Sequence, residues 1–442
     1  MTRKKRKLKK NIKILLLIIP IILLLILLSY KIINKKEETP KKKNNDKEIV
    51  NNILSYNIDN LDESFLKWVN SNYKDSLAKI NNYLKNNEYN PSIWHKYTGY
   101  SLIVLKDLYN NKYDNMNNIT INNDENKEIS INFIGDVSLA DNFYIAPKYD
   151  ERNKKILGIL SKEVVDELTK STISVANNEF TVSNRGEEIP GKLYHFRAKP
   201  ERLAIYNEMG IDLVTLANNH VYDFGSIAFN DMLEALDNYK IPHIGAGKNI
   251  EEASKPYYFI INGYKIAFIN ANRSEKNIKT PGATEKEEGV LRCYDTKIFK
   301  ELISNTKKES DFLIALIHWG KEDYHELEQV QIDTSKEYID MGADLIVGTH
   351  AHVLQGIEFY KDKAIIYNLG DFIFNNEDKD TIIYKLIIDN DGTFSHYIVP
   401  AHQKDEYTYL LKDKEREKVI NNIISYSENK INISDNGKVT KK

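Results

Sequence analysis

The sequence predicts an α/β domain with a mainly parallel sheet, and two observations carry that prediction. Seven short runs rich in Ile, Val, Leu, Phe and Ala lie between residues 129 and 370, and each ends in or is followed by polar residues. Such runs are typical of strands buried on both faces of a sheet. Helical stretches such as 226–239 and 327–341 lie between several of them, and this alternation of buried strand and helix indicates an α/β fold. The runs are 129–135, 172–177, 212–218, 264–270, 312–318, 344–350 and 364–370.

Ahead of this domain, the N-terminal region has the features of a membrane anchor. Residues 14–30 form a run of 17 residues without a charge. A helix of that length covers about 26 Å, close to the thickness of a bilayer core. The residues that follow offer no small-x-small cleavage site and no cysteine for a lipid, so an uncleaved single span is favoured over a signal peptide or a lipoprotein anchor.

The charges on either side of the span predict its orientation. Eight cations precede it and a mixed-charge stretch follows it, which places the N-terminus in the cytoplasm and the body of the chain outside the cell. We therefore expect a single-pass protein of the cell membrane with an extracellular body.

Composition divides the whole chain into five segments. Residues 1–33 are the predicted basic tail and transmembrane anchor, and the charged stretch 34–49 is a predicted linker. Apolar residues at three- and four-residue steps predict a small helical subdomain at 50–127. The α/β domain is expected at 128–402, and the polar stretch 403–442 is expected to be a C-terminal helix or tail.

Charge and cysteine content exclude several classes of protein. The chain has 62 basic and 64 acidic side chains, and because the first 48 residues carry a surplus of cations, the remainder has a net charge of −13. An acidic body argues against a general nucleic-acid binder, which needs a basic face. The single cysteine, Cys293, excludes an intrachain disulfide and a cysteine-cluster zinc or iron–sulfur site.

Polar residues gather where the predicted strands end, and their types are those that bind metal ions. Carboxyl ends of strands form the ligand-binding edge of an open α/β sheet. Oxygen and imidazole ligands without a thiolate suit Mn, Fe, Mg or Zn, so we expect a divalent metal site with one or two ions. Taken singly, an Asp after a strand such as Asp136 is usually a turn residue or helix cap, and a histidine such as His318 is more often a satisfied, partly buried one. The residues are Asp136, Asn177, Glu179, Asn218, Asn219, His220, His318, His350 and His352.

Seven segments with these residues resemble the CapA family of capsule or poly-γ-glutamate synthesis proteins, whose domain is similar to calcineurin-like metallophosphoesterases. The resemblance covers about residues 130–375. The segments are FIGDVSLA (133–140), NNEFTVSNRG (177–186), YHFRAKPE (194–201), IDLVTLANNHVYDFG (211–225), LIHWGKEDY (316–324), MGADLIVGTHAHVLQGIE (341–358) and IIYNLGDFIF (365–374).

This resemblance implies a four-layer α/β/β/α sandwich, preceded here by the transmembrane helix and the helical subdomain, with a metal site at one edge. It implies Asp136 as a bridging ligand and Glu179 as an acidic ligand or catalytic base. It also implies catalytic His220 as the group that protonates a leaving oxygen, acting as a general acid near neutral pH. The further metal ligands that it implies are Asn219, His318, His350 and His352.

Three positions depart from the family pattern. Ordinary metallophosphoesterases have a histidine where Ser138 stands, which concerns one of the two metal positions. Asn178 stands where the family has leucine. Asp371 replaces an asparagine and would add a negative charge if it faces the site.

The sequence therefore predicts a membrane-anchored, extracytoplasmic CapA-like protein in the synthesis, export or anchoring of an anionic surface polymer. Its metal site would hydrolyse or transfer a phosphoester or γ-glutamyl-type bond, and its partners would include other capsule-synthesis membrane subunits. A non-catalytic polymer-binding or assembly subunit and a general surface phosphodiesterase are the alternatives. Because an acidic body repels a polyanion, bound metal and local cations such as Arg185 and Arg197 would have to bind the substrate, although solvated loop positions explain both arginines equally well.

Overall fold

The computed structural model describes residues 40–59, 61–122, 128–151, 155–274, 279–375 and 377–442. The chain divides into two compact units between Asn87 and Glu88. The predicted anchor at 14–30 lies outside the described residues, as does the start of the predicted linker. Within the described ranges, no helix combines the length and the apolar character needed to cross a membrane.

The first unit is helical where it is described. Its helices are α1 (Pro40–Leu54), α2 (Glu63–Asn72) and α3 (Ser76–Leu84). Asp62 begins α2, because its carboxylate accepts a hydrogen bond from the backbone N–H of Phe65 at 2.6 Å. Leu66 on α2 and Ile80 on α3 are fully buried, so each helix has one apolar face that packs inward. The second half of the predicted linker is therefore part of α1.

The second unit contains the remaining helices and all the strands that the described ranges contain. Its helices are α4 (Ser92–Thr98), α5 (Leu102–Tyr109), α6 (Ile145–Glu151), α7 (Ile156–Ile159), α8 (Lys162–Lys170), α9 (Ala204–Met209), α10 (Gly225–Tyr239), α11 (Ile250–Ala253), α12 (Thr296–Lys308), α13 (Gln329–Asp340) and α14 (Asp413–Tyr426), with 3₁₀ turns at Lys112–Asn115 and Pro200–Leu203.

The strands are short, and most of them are buried. They are β1 (Ile119–Asn122), β2 (Ile129–Val137), β3 (Ile173–Asn178), β4 (Thr181–Val182), β5 (Arg197–Ala198), β6 (Leu213–Thr215), β7 (His243–Ile244), β8 (Ala246–Gly247), β9 (Tyr257–Ile261), β10 (Tyr264–Asn272), β11 (Gly289–Val290), β12 (Phe312–Trp319), β13 (Leu345–His350), β14 (Ile357–Tyr360), β15 (Lys363–Ile366), β16 (Asp371–Ile373), β17 (Lys379–Ile388), β18 (Phe394–Lys404), β19 (Tyr407–Leu410), β20 (Ile431–Ile433) and β21 (Lys438–Lys441).

Two large mixed sheets organise this unit. The first has the order β1-β9-β10-β12-β13-β15-β14, and the second has the order β20-β21-β18-β17-β2-β3-β6-β7, with β16 on β2 and β19 on β18. The seven predicted apolar runs all form strands of these sheets: β2, β3, β6, β10, β12, β13 and β15. Neighbouring members of this group pair in parallel, whereas β9, β14 and β17 pair with them antiparallel.

Side-chain alternation along the strands produces a layered sandwich. On β10, Ile266 and Phe268 belong to a hydrophobic cluster shared by the two sheets, whereas Ala267 and Ile269 belong to a cluster that includes Phe299 of α12. A third cluster packs helices α6 to α10 against the other face of the second sheet. Since successive strand residues point to opposite faces, strands that are apolar throughout bury both faces. The prediction of an α/β sandwich is confirmed.

The compact units and the predicted segments have different boundaries. Helices α4 and α5 fall in the second unit, where Ser101 Oγ donates to Asp311 Oδ2 at 2.6 Å and Lys265 Nζ donates to Asp107 at 2.7 Å. The stretch after residue 402 contains α14 and three strands, and Val439 of β21 pairs with β18. These strands are short and half-exposed, so they lack the apolar run that identifies the central strands in the sequence.

Candidate metal centre

The predicted metal ligands converge at the carboxyl ends of strands from both sheets. Asp136 lies near the end of β2, and Glu179 directly follows β3. From the first sheet, His318 lies near the end of β12 and His350 ends β13. All four side chains are buried, at 3% exposure or less. The sandwich thus brings together residues from four strands that are far apart in the sequence.

Glu179 lies at the centre of this arrangement. Its Oε1 is 3.9 Å from the Nε2 atoms of His220, His318 and His352, and it has no hydrogen-bond partner among the described residues. These separations are too long for hydrogen bonds. Two ligand atoms that each lie about 2.1 Å from one ion are at most about 4.2 Å apart, so the spacing fits atoms that share a cation. Burial and the neighbouring Asp136 raise the pKa of Glu179 well above its usual range.

Asn177 connects the two carboxylates of the second sheet. Its Nδ2 donates to Asp136 Oδ1 at 2.8 Å and to Glu179 Oε2 at 3.1 Å. Asp136 Oδ2 accepts the backbone N–H of His350 at 3.1 Å, which ties β2 to the end of β13. Burial raises the pKa of Asp136 to about 6. Asn177 therefore orients these two carboxyl groups and holds them close together.

The histidines of the first sheet are held as neutral ligands would be. His318 Nε2 lies 2.7 Å from Asn219 Oδ1, and its Nδ1 lies 2.9 Å from Thr349 Oγ1. Burial lowers the pKa of both His318 and His350 well below the ordinary value, and a neutral imidazole is the form that binds metals. His350 and His352 have φ angles of 98° and 58°, so the backbone at both residues has the positive φ that non-glycine residues rarely adopt.

Asp371 faces the site. It pairs with Asp136 across β16 and β2, is fully buried, and its Oδ1 accepts from His352 Nδ1 at 2.7 Å. Its Oδ2 has no hydrogen-bond partner in the described part of the chain, and Lys379 Nζ lies 3.7 Å away. Burial lowers the pKa of His352, but the Asp371 carboxylate outweighs this effect and raises that pKa to about 9. The departure at Asp371 thus adds a third buried carboxylate to the site.

His220 belongs to a hydrogen-bonded pair beside the ligands. Its Nδ1 lies 2.7 Å from Asp223 Oδ2, and the Phe196 ring stacks on the imidazole at 3.9 Å between centroids. Burial lowers the pKa of His220 to about 4. The neutral ring therefore donates Nδ1–H to Asp223 and presents Nε2 towards Glu179 as a proton acceptor. We assign this tautomer from the carboxylate partner.

The two predicted substrate arginines are engaged outside this cluster. Arg185 pairs with Asp231, with Nε 3.0 Å from Oδ2. Arg197 stacks over Phe224 at 4.0 Å and donates to the Arg185 carbonyl at 3.1 Å. The cations that contact residues of the site are instead lysines: Lys379 beside Asp371, and Lys192 beside Asp223.

The donor set fits a divalent metal ion. Three groups of side chains have ligand atoms within 4.8 Å of one another: Glu179 with His350 and His352, Asp136 with His352 and Asp371, and Asp136 with Glu179 and His318. Buried Glu179 Oε1, Asp371 Oδ2 and His350 Nδ1 lack hydrogen-bond partners among the residues described, and an ion would supply the missing interaction. Ser138 Oγ is also fully buried and unpartnered there.

Sequence reasoning singled out neither Asp223 nor Lys192, and it noted Asn177 without giving it a role. A signal for Asp223 was present, since it follows His220 by three residues within the ANNHVYDFG segment. Nothing in the local sequence marks Lys192, because the residues of the site that it contacts, Asn219 and Asp223, are more than 25 positions away.

Comparisons with known proteins agree with the sequence resemblance. Residues 130–376 match the protein family described as "Bacterial capsule synthesis protein PGA_cap". The "Capsule biosynthesis protein CapA" of Bacillus anthracis is 30% identical over 217 residues, which are 48% of this chain and 52% of that protein. The "PGA biosynthesis protein CapA" of Bacillus subtilis (strain 168) is 28% identical over 279 residues, 62% of this chain and 71% of that protein. The aligned region thus spans about half of the first relative.

Likenesses to solved structures are distant. A hypothetical protein from Thermus thermophilus has a TM-score of 0.38 at 13% identity, covering 62% of this chain and 99% of that one. The 5'-nucleotidase of Candida albicans SC5314 has a TM-score of 0.36 at 11% identity, covering 63% and 53%. Both TM-scores are below 0.5, and the fold described above rests on the strand pairing of this chain.

Proposed function

Because the chain belongs to the family of bacterial capsule synthesis proteins described as PGA_cap, we propose that it acts in the synthesis, export or anchoring of a capsular polymer. Its similarity to proteins named for capsule and PGA biosynthesis supports poly-γ-glutamate as that polymer. Its chemistry is the hydrolysis or transfer of a phosphoester or γ-glutamyl-type bond by a site of metallophosphoesterase type in a four-layer sandwich. The observation that carries this proposal is buried Glu179 Oε1, which faces three histidine nitrogens at 3.9 Å without a hydrogen bond.

The site has enough ligands for one or two divalent ions. Glu179 with His350 and His352, Asp136 with His352 and Asp371, and Asp136 with Glu179 and His318 form overlapping sets, and Asn219 Oδ1 lies beside His318 Nε2. A bound divalent ion supplies polarisation of a phosphoryl or acyl oxygen and lowers the pKa of water. Mn, Fe, Mg and Zn all suit this mixture of carboxylate, amide and imidazole donors.

His220 handles the proton in this scheme. Its neutral Nε2 accepts a proton from the attacking water or hydroxyl while Asp223 holds Nδ1–H in place. The same proton then passes from Nε2 to the leaving atom, which is the ester oxygen of a phosphoester or the amide nitrogen of a γ-glutamyl bond, so no proton is gained or lost over the reaction. Because the pKa of His220 is low, its ring is neutral before the reaction. His220 therefore acts as a base in the first step and as an acid in the second, and it does not begin as a protonated general acid.

Charge at the site bears on substrate binding. Asp136, Glu179 and Asp371 are three fully buried carboxylates, and the chain beyond residue 48 has a net charge of −13. An anionic polymer would be repelled unless bound metal and nearby lysines, Lys379 among them, reverse the local field. Removal of metal should therefore abolish polymer binding.

A non-catalytic assembly subunit is the second candidate function. Ser138 favours it, because an ordinary metallophosphoesterase has a histidine ligand at this position. In such a subunit the fold and the metal would be kept for structure and for polymer binding, and the His220–Asp223 pair would serve no chemistry.

We place the protein at the cell surface through a single membrane span at residues 14–30, with other capsule-synthesis membrane subunits as partners. Protease added to intact cells should remove the body and leave the N-terminal segment in the membrane fraction. If the body survives protease on intact cells but is digested after lysis, it lies inside the cell and the orientation is wrong.

Catalysis is tested on the full-length protein purified in mild detergent. Metal content is measured, and turnover of phosphodiester and poly-γ-glutamate substrates is followed for wild type, Asp136→Ala and His220→Ala. His396→Gln, a change at a buried histidine that bonds Tyr384, is the control and should retain activity. We expect bound divalent metal in wild type and loss of turnover in both site variants. Bound metal without turnover, together with normal capsule formation in cells that carry His220→Ala, would exclude catalysis.

A further inference from the structure

Lys192 is a buried lysine on the segment between β4 and β5, and it lies beside the proton-transfer pair. Its side chain is only 9% exposed. The ammonium Nζ donates to the backbone carbonyl of Asn219 and lies 2.5 Å from Asp223 Oδ1. A buried lysine loses side-chain entropy and hydration, so its placement here needs compensation from both contacts.

These two contacts connect neighbouring parts of the site. Asn219 carries the amide oxygen that lies 2.7 Å from His318 Nε2. Asp223 is the partner of His220 Nδ1, and its Oδ2 also accepts the backbone N–H of Phe196 at 2.7 Å. Asp223 Oδ2 therefore contacts both the His220 imidazole and the backbone of Phe196, whose ring stacks on that imidazole. Asp223 Oδ1 contacts Lys192.

Asn219 and Asp223 differ in how far their positions depend on Lys192. The Asn219 carbonyl also accepts from Thr280 Oγ1 at 2.9 Å, and Thr181 Oγ1 donates to the His220 carbonyl at 2.9 Å. The backbone at the ligand Asn219 is therefore held by other groups as well. Asp223 Oδ1 has no hydrogen-bond partner within the described ranges and contacts Lys192 as an ion pair.

We propose that Lys192 is a positioning residue, whose ion pair fixes the Asp223 carboxylate so that His220 directs Nε2 at the reacting group. Without the ammonium group, the fully buried Asp223 carboxylate keeps, among the residues that the structure describes, only His220 and the Phe196 N–H as partners, and it rotates or admits water to recover a third. The imidazole then loses its fixed direction, and misplacement of a proton-transfer group by about 1 Å costs about 100-fold in rate. This inference rests on the proposed function, in which His220 transfers the proton.

The test compares Lys192→Met and Lys192→Arg with wild type in the full-length protein with Mn²⁺. Lys279→Met is the matched control, because Lys279 also donates to a backbone carbonyl, that of Pro190 at 3.2 Å, on the segment that carries Lys192. Turnover is measured with bis(p-nitrophenyl) phosphate, and Mn²⁺ binding is measured by titration calorimetry. We expect Lys192→Met to lower kcat by about 100-fold while KM and the Mn²⁺ dissociation constant stay within about threefold. Lys192→Arg should recover most of kcat, and Lys279→Met should match wild type.

Two results would overturn the proposal. An unchanged kcat in Lys192→Met removes the positioning role. A fall in kcat matched by an equal loss of Mn²⁺ affinity and of thermal stability, without recovery in Lys192→Arg, makes Lys192 a residue of general structure.

A spectroscopic measurement separates this inference from the proposed function. If wild type turns over no substrate, the proposed catalysis fails, and Lys192 is then judged by proton NMR. The downfield N–H resonance that disappears in His220→Gln reports the hydrogen bond between His220 and Asp223. That resonance should shift or broaden in Lys192→Met, and an unchanged resonance refutes the positioning role whatever the activity.

Discussion

Replacement of Glu179 by glutamine should stabilise the protein in the absence of metal and remove most of its stabilisation by metal. In chelated protein, the carboxylate oxygens of Asp136 and Glu179 lie within 4.8 Å of each other in a fully buried site. At an effective dielectric constant of about 20, two negative charges at that separation repel by about 3 kcal/mol. In wild type at pH 8 this repulsion either destabilises the folded protein directly or is relieved when Glu179 takes up a proton, which also costs free energy. Burial and Asp136 raise the pKa of Glu179 well above its usual range. A neutral glutamine side chain at this position removes both costs.

Bound Mn²⁺ should remove most of this difference, because it stabilises wild type far more than the variant. Mn²⁺ at 100 times its dissociation constant stabilises a folded protein by about 2.7 kcal/mol. If loss of the Glu179 carboxylate weakens Mn²⁺ binding 100-fold, the same Mn²⁺ concentration stabilises Glu179→Gln by only about 0.4 kcal/mol. We therefore expect Glu179→Gln to be more stable than wild type in EDTA, by up to about 3 kcal/mol, and to gain almost nothing from Mn²⁺.

The assay is urea unfolding at pH 8 in EDTA and in Mn²⁺, with Asp311→Asn as the control. Asp311 is a half-buried carboxyl group, whose pKa burial raises to about 6, and it precedes the strand that carries His318 at the end opposite that histidine. Its replacement should leave the stabilisation by Mn²⁺ equal to that of wild type. A Mn²⁺ effect in Glu179→Gln as large as in wild type would show that Glu179 is no ligand. Lower stability of this variant in EDTA would show that the carboxylates do not repel.

Three further predictions concern other parts of the molecule. Asp371→Asn keeps an acceptor for the histidine beside it but removes a charge, so titration calorimetry should show divalent-ion affinity reduced by roughly 10- to 100-fold, and unchanged affinity would exclude a role in metal binding. In Gly135→Ala the new Cβ would lie 1.8 Å from the Gly370 carbonyl oxygen, which forces β2 and β16 apart; urea unfolding should show a loss of about 1–3 kcal/mol, and a neutral change would mean that the strands separate freely. Burial lowers the pKa of His396 from 6.5 to about 4, so the unfolded chain binds a proton that the folded one does not, and stability falls as pH drops from 6.5 towards 4, by at most about 3 kcal/mol. His396→Gln should flatten that part of the pH profile relative to wild type, and an identical profile would contradict the assignment.

The ligand set illustrates how far sequence patterns reach. Asp136, Glu179, His318 and His350 each end or follow an apolar run, and because parallel strands end at a common edge, their convergence follows from the pattern and the fold class. Asp371 was visible only as a departure from the family. Its contact with His352 arises because β16 pairs with β2, and a three-residue strand has no periodicity that sequence alone could reveal.

The arginines show where local reasoning fails. Arg185 and Arg197 stand near the motif residues in the sequence, but their guanidinium groups are engaged by Asp231 and Phe224. The side chains of Arg185 and Arg197 lie outside the site, whereas Lys192 lies beside it. Packing of this part of the chain against α10 and the turn before it determines these positions. No property of the residues themselves separates these three cations.

The amino-acid sequence was sufficient for the α/β class, the seven central strands and the family, and it singled out most of the side chains that meet at the carboxyl ends of those strands. These depend on short-range patterns, namely apolar runs that bury both faces of a strand and polar residues where the runs end. Only the tertiary structure decided that Glu179 Oε1 faces three imidazoles, that Asp371 bonds His352, and that Lys192 pairs with Asp223. Each of these contacts joins residues at least 19 positions apart in the sequence. The packing of the two sheets determines which atoms meet across such a separation, and no local sequence pattern encodes it.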